Sequence, residues 1–166
     1  MRRAHGKTAP VNSGATGDDV VRRRDAVLGL RPELAAAHGR LLATIWAGPV
    51  SPVTLELCRL RMATLLASTA ALSERSPAAT AAGLTEERIG LLPRWPTDPS
   101  FSTEERVCIG FAEQFVLDHG QISDGDVREL TELLTPEGVV TFTTALIAWD
   151  NQHRLDNALH VAAGQG

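Results

Sequence analysis

The sequence predicts an all-α fold, an orthogonal bundle of six or seven helices, and three observations carry that prediction. Apolar residues recur at helical spacing through the interior, Pro, Gly and Ser punctuate the breaks, and no segment keeps the alternation that a half-buried strand needs. A chain of 166 residues with 43% apolar side chains also suffices for one domain with its own core.

The elements follow in order. Residues 1–24 read as a disordered lead-in, dense in Gly, Ser, Thr and Pro through Gly17 and ending in Arg22, Arg23 and Arg24. That arginine run is a solvated charge run, with a phosphate or partner contact as the lesser reading. The folded domain is 25–166. Pro32 opens a helix through "ELAAAHGRLLATIWA" that stops at Gly48-Pro49, and a second begins after Ser51-Pro52 with Val53, Leu57 and Leu60 on one side. A short helix ends at Gly83 and the next is capped by Thr85. Ser102 with Glu105, and Ser123 with Asp126, are the capping signals of two more. Pro136 starts a long last helix reaching "NALHVAA".

Charge and motifs exclude several classes. The first 24 residues hold six basic and two acidic side chains, so the rest of the chain is more acidic than the net charge of -4 suggests and repels phosphates. Nucleic acid is not an expected partner. The N-terminus is basic but no apolar segment follows it, and no window approaches 18 apolar residues, so neither a membrane span nor a secretory signal is expected and the location is taken as cytoplasmic. Fifteen of the sixteen basic residues are arginine, which suggests a GC-rich bacterial coding sequence. Cys58 and Cys108, fifty residues apart, lack the spacing of a redox pair or zinc site and read as buried thiols. There is no HxxxH, HExxH, P-loop, GxGxxG or GxSxG, so no metal and no cofactor are expected.

The order of "IWAGPVSPVTLELCRLRMATL", "AAGLTEERIGLLPRW", "DPSFSTEER" and "ALIAWDNQHRLDNAL", spanning Leu34 to Leu159, resembles the AhpD-like / carboxymuconolactone decarboxylase family. The resemblance implies an AhpD-like helical bundle that assembles as a homo-oligomer, a trimer or hexamer with a dimer as the further option, and carries a pocket between helices near a subunit interface. The thiol peroxidase branch of that family has a Glu, a CxxC twelve residues later, and a His four residues after the second cysteine. Those positions fall here on Glu56, Ser68, Ala71 and Arg75. A serine hydroxyl is hardly ionised near neutral pH and has no sulfenic or disulfide chemistry, so alkyl hydroperoxide reductase activity is not expected. The helix break that precedes the motif, an Asn-Gly pair in many relatives, is Leu66-Ala67 here.

The decarboxylase branch works without the cysteines, on an unsaturated lactone that bears a carboxylate. Such chemistry needs a cation for the carboxylate and an acid to protonate carbon. Arg75 is the candidate cation, against the alternative of a solvated arginine. Glu56 shares a helix face with Ala63 and Ala67, where a carboxyl is partly desolvated and suited to acid/base work, while Arg59 three residues on offers it a plain ion pair. On the last helix Val139, Phe142, Leu146 and Trp149 form an apolar stripe that continues into His153, Asn157 and His160. The family's "NRL" signature has Asn where this chain has His153, so an imidazole is gained as the motif histidine is lost. His119 reads as a helix cap; whether it and Asp118 join a neighbouring subunit's pocket is left open. Trp46 and Trp95 read as core or interface anchors.

Two functional readings follow. In the first, the chain is a cofactor-independent acid/base enzyme, a lyase or isomerase, whose substrate is a small carboxylated or enolisable metabolite. Glu56 and His153 are then catalytic, and Ser68, Arg75, Trp149 and Asn157 bind substrate. In the second, it is a non-catalytic binding or scaffold oligomer of the same fold. An open pocket faced by Glu56 and His153 is expected of the enzyme, and one filled by Leu66 and Leu72 of the scaffold.

Overall fold

The computed structural model describes residues 16–163, with side chains described through residue 159. Nine α-helices and no strand occur among the described residues: α1 Gly17–Gly29, α2 Pro32–Trp46, α3 Pro52–Leu65, α4 Thr69–Ser73, α5 Pro77–Ala81, α6 Glu86–Gly90, α7 Thr103–Asp118, α8 Asp124–Leu133 and α9 Pro136–Ala163. The expected all-α bundle is present, and two helices beyond the expected seven account for the higher count. One is α4, split from α3. The other is α1, which corrects the lead-in assigned to residues 1–24: its first 15 residues, like the side chain of His160 on α9, lie outside the described residues, but from Gly17 onward the segment is helical. Thr16 and Asp19 form a capping box there, and Val20 and Arg24, one turn apart, are buried against the bundle. The solvated arginine run is thus corrected at Arg24.

α3 organises the molecule. Every residue from Val53 to Leu60 is buried, so the helix is covered on all sides, by α7 above all and by α4, α5 and α9. α9, 28 residues and about 42 Å long, runs past α1, α2, α3, α4, α7 and α8 and closes the bundle. The capping signals at Thr85, Ser102 and Ser123 all form. Phe101, Ile109, Phe142, Leu146 and Trp149 join the α3 residues in one core.

The break between α3 and α4 is a Schellman motif built without glycine. Ser68 N–H donates to the Ala63 carbonyl at 2.9 Å and Ala67 N–H to that of Thr64 at 3.2 Å, with Ala67 left-handed at φ 53°. An L-residue pays about 1 kcal/mol or more to sit there. Ala67 is exposed. Ala67→Gly should therefore raise stability by about 0.5–1 kcal/mol in urea unfolding; a loss would mean that the alanine methyl is needed by its surroundings.

Candidate functional site

Glu56 and Arg59 project from α3 toward the turn that joins α4 to α5. Glu56 is 1% exposed and Arg59 6%. The guanidinium grips the carboxylate with two bonds of 2.7 Å, Nε to Oε2 and Nη2 to Oε1. It also donates from Nη1 to the Ala71 carbonyl and from Nη2 to that of Glu74, each at 2.9 Å. Ser76 N–H completes the cluster, donating to Glu56 Oε1 at 3.1 Å. Four of the five N–H groups of Arg59 are engaged and one on Nη1 is left. The ion pair offered by the three-residue spacing is the arrangement formed.

Arg75 follows on the same turn. It donates to both oxygens of Glu86, at 2.6 and 3.0 Å, and from Nη1 to the carbonyls of Leu72 and Glu74, leaving one N–H on Nη2. Arg59 and Arg75 both line a cleft of about 380 Å³, together with Glu74 and Ser76 of the turn, Trp46 of α2, and Trp149 and Gln152 of α9. The two indoles pack at 5.7 Å between centroids, tilted by 43°. The cleft thus has two ion-paired arginines and the Glu74 carboxylate from α3 and the α4–α5 turn, and two indoles from α2 and α9. A larger cavity of about 470 Å³ lies between α7 and α8, bounded by Trp95, Phe111 and Glu129, and none of the catalytic or substrate-binding candidates borders it.

The predicted residues divide accordingly. Arg75 and Trp149 line the cleft; Glu56, Ser68, His153 and Asn157 do not. Ser68 is fully buried as the N-cap of α4, its Oγ accepting the Ala71 N–H at 3.4 Å. Asn157 donates to the Leu66 carbonyl at 2.6 Å, tying α9 to the end of α3. His153 does not run out into solvent: it is 0% exposed, and neither ring nitrogen has a hydrogen-bond partner. Burial, and next the positive charge of Arg59, hold its imidazole down at about 4; the Arg59 backbone and Asp150 favour the cation but neither closes a bond with it. At neutral pH it is an uncharged, buried imidazole that does not border the cleft. Leu66 and Leu72 do not fill that cleft, so it is open while neither acid/base candidate lines it.

Sequence reasoning missed a second buried cluster. Arg24 on α1 donates to Glu74 at 3.1 and 3.3 Å and to Asp156 on α9 at 3.2 Å. Asp156 is 1% exposed with Oδ1 unpartnered, and burial pushes its carboxyl up against the pull of Arg24. The signal was the one-turn spacing of Val20 and Arg24, hidden by two further arginines beside it. Cys58 and Cys108 are buried as expected, and burial pushes the Cys58 thiol well up and that of Cys108 to about 12. Neither offers a thiolate near neutral pH. His119, exposed, caps α7, and no group of metal-ligating side chains occurs among the described residues. Nor is any described helix long and apolar enough to cross a membrane.

No family model matches the chain, and no curated protein matches it. Solved structures do. One is a protein of unknown function from Agrobacterium tumefaciens, proposed to be the antioxidant defence protein AhpD: TM-score 0.67, 19% identity, covering 83% of this chain and 92% of that one. Another is an alanine-for-cysteine variant of the debrominase Bmp8 in complex with 2,3,4-tribromopyrrole: TM-score 0.66, 19% identity, covering 80% of this chain and 71% of that one. The chain has the AhpD-like all-α fold.

Proposed function

We propose that the cleft between α2, α3, α9 and the α4–α5 turn binds a small carboxylated, unsaturated metabolite, and that the chain acts on it as a cofactor-independent lyase or isomerase. One observation carries this reading: two arginines, each with one N–H outside its hydrogen bonds, line the same open cleft as Trp46 and the Trp149 packed against it. A carboxylate pairs with the guanidinium N–H groups and a flat conjugated body with the half-buried Trp46 indole, which Trp149 backs. That a debrominase of the same fold was solved with a small brominated pyrrole supports a planar ligand of this size.

In this reading Arg75 and Arg59 hold the carboxylate and stabilise the charge that develops beside it. The uncharged His153 is the base and Glu56 its counterpart, both behind Arg59. Proton exchange with the ligand therefore requires the ligand carboxylate to compete with Glu56 for Arg59 and draw the guanidinium into the cleft. A homo-oligomer belongs to the proposal, supported by the exposed Leu30, Leu34 and Val140, as does a cytoplasmic location.

The second reading, a non-catalytic binding or scaffold protein, is favoured by the sealed His153 and the fully engaged Glu56. Proton NMR in D2O separates the two. Short unsaturated and aromatic carboxylates are incubated with the protein, and deuterium incorporation or loss of CO2 is followed. The enzyme reading expects incorporation that falls at least tenfold in both His153→Asn and Glu56→Gln. Binding abolished by Arg75→Ala but with no exchange in wild type supports the scaffold or binding reading, and no binding of any carboxylate overturns the proposal.

A further inference from the structure

Next to that cleft lies a second cavity of about 310 Å³, walled by α1, α2 and α9. Leu28, Leu41, Ile147, Ala148 and Leu155 make its surface mostly apolar, with His38 at the α2 end. Gln152 lines both cavities, from α9. On α2 the residues follow one another along the same groove: Trp46 and Leu42 border the cleft, Leu41 and His38 the apolar cavity. Eight residues of helix separate Trp46 from His38, about 12 Å of groove.

We infer that the two cavities are one binding channel, and that the ligand is an amphipathic carboxylate whose head sits at Arg59 and Arg75 while an apolar tail passes Gln152 into the α1–α2–α9 cavity. The inference rests on the carboxylate reading of the cleft and adds the tail. Charge assigns the direction. Arg59 and Arg75 line the cleft, each paired with a single carboxylate, whereas Arg24, the guanidinium at the apolar cavity, stands among three, Glu74, Asp156 and Asp25, which together repel an anion. A head group therefore belongs at one end only. The apolar walls include Ile147, 54% exposed, and Leu41, 39% exposed, large side chains that an alkyl or acyl tail would cover. The half-buried Gln152 stands at the junction, where its amide can follow the head while its methylenes border the tail.

Isothermal titration tests the channel with acetate, hexanoate, octanoate and decanoate as probes, decanol as a headless control, and sedimentation of each sample. The expected result is affinity rising by up to about fourfold per added methylene, with decanol much weaker than decanoate. In Leu41→Gln/Ile147→Gln, and in Leu41→Gln alone should the double variant melt early, the rise per methylene should shrink while the affinity for acetate stays the same. Binding of acetate with no dependence on chain length overturns the channel and leaves the carboxylate cleft standing. Absence of binding by every carboxylate overturns both. If the glutamine variants instead lower the sedimenting mass and leave the chain-length dependence unchanged, the apolar cavity is an interface between copies, and the inference is wrong.

Discussion

Arg59→Ala should be the most damaging substitution on α3, costing about 3–5 kcal/mol, the usual penalty for removing one partner of a buried ion pair. For a chain of this size that is a fall of roughly 10–15 °C in melting temperature. The loss has two parts. Glu56, 1% exposed, keeps only the Ser76 N–H at 3.1 Å, so a carboxylate is left in the interior with most of its acceptor capacity empty. The carbonyls of Ala71 and Glu74 also lose their donor, which loosens α4 and the α4–α5 turn against α3. Glu56→Leu combined with Arg59→Met removes both charges and should recover much of the loss, to within about 2 kcal/mol of wild type, because an apolar pair of similar volume no longer has to be desolvated as ions. Chemical unfolding of Glu56→Leu, Arg59→Met and the double variant gives the coupling. If Arg59→Ala loses under about 1 kcal/mol, the pair is not holding the turn, and the idea that a ligand must compete with Glu56 for Arg59 loses its basis.

The same pair marks how far the sequence could be read. Helix caps are local, so Ser102 with Glu105 and Ser123 with Asp126 announced their helices correctly, and the apolar stripe from Phe142 to Trp149 placed α9 on the core. The α3–α4 break was harder, since Leu66-Ala67 has no turn residue, and the Schellman bonds form because packing on both sides outweighs the cost of a left-handed alanine. At the site, spacing could show that Glu56 and Arg59 share a face but not that the backbone of residues 71–76 wraps over them. Arg24 was read as solvated because its partners, Glu74 and Asp156, are 50 and 132 residues away. Trp46 read as a core or interface anchor, and spacing could not show that it meets Trp149 at a cleft.

His153 gives the second large expected effect, and its sign differs from that of Arg59. A buried imidazole with two unpartnered nitrogens destabilises the fold, so His153→Leu should gain about 1–2 kcal/mol at pH 7. The gain should grow on acidification. In the unfolded chain the imidazole titrates near 6.5, and in the fold it is held at about 4 by burial and by Arg59. Between those values the unfolded chain binds the extra proton, so wild-type stability falls as pH drops, by about 3 kcal/mol across the window, and is complete only above pH 6.5. Asp156 works in the opposite sense: its raised carboxyl contributes stability in acid that is lost as pH rises through its folded value, so it offsets part of the slope. The difference between wild type and His153→Leu, measured by unfolding from pH 4 to 7.5, isolates the imidazole. A parallel pair of curves would mean that a water or a shifted Asp150 satisfies the ring and that it is not held uncharged. If the curves diverge as expected, the native side chain carries a stability cost that leucine avoids. A cost of that kind is what a site kept for proton transfer exhibits, and His153→Leu should then trade deuterium exchange for stability. If no exchange is lost, the imidazole is a packing defect, and the binding reading of the cleft is the one to keep.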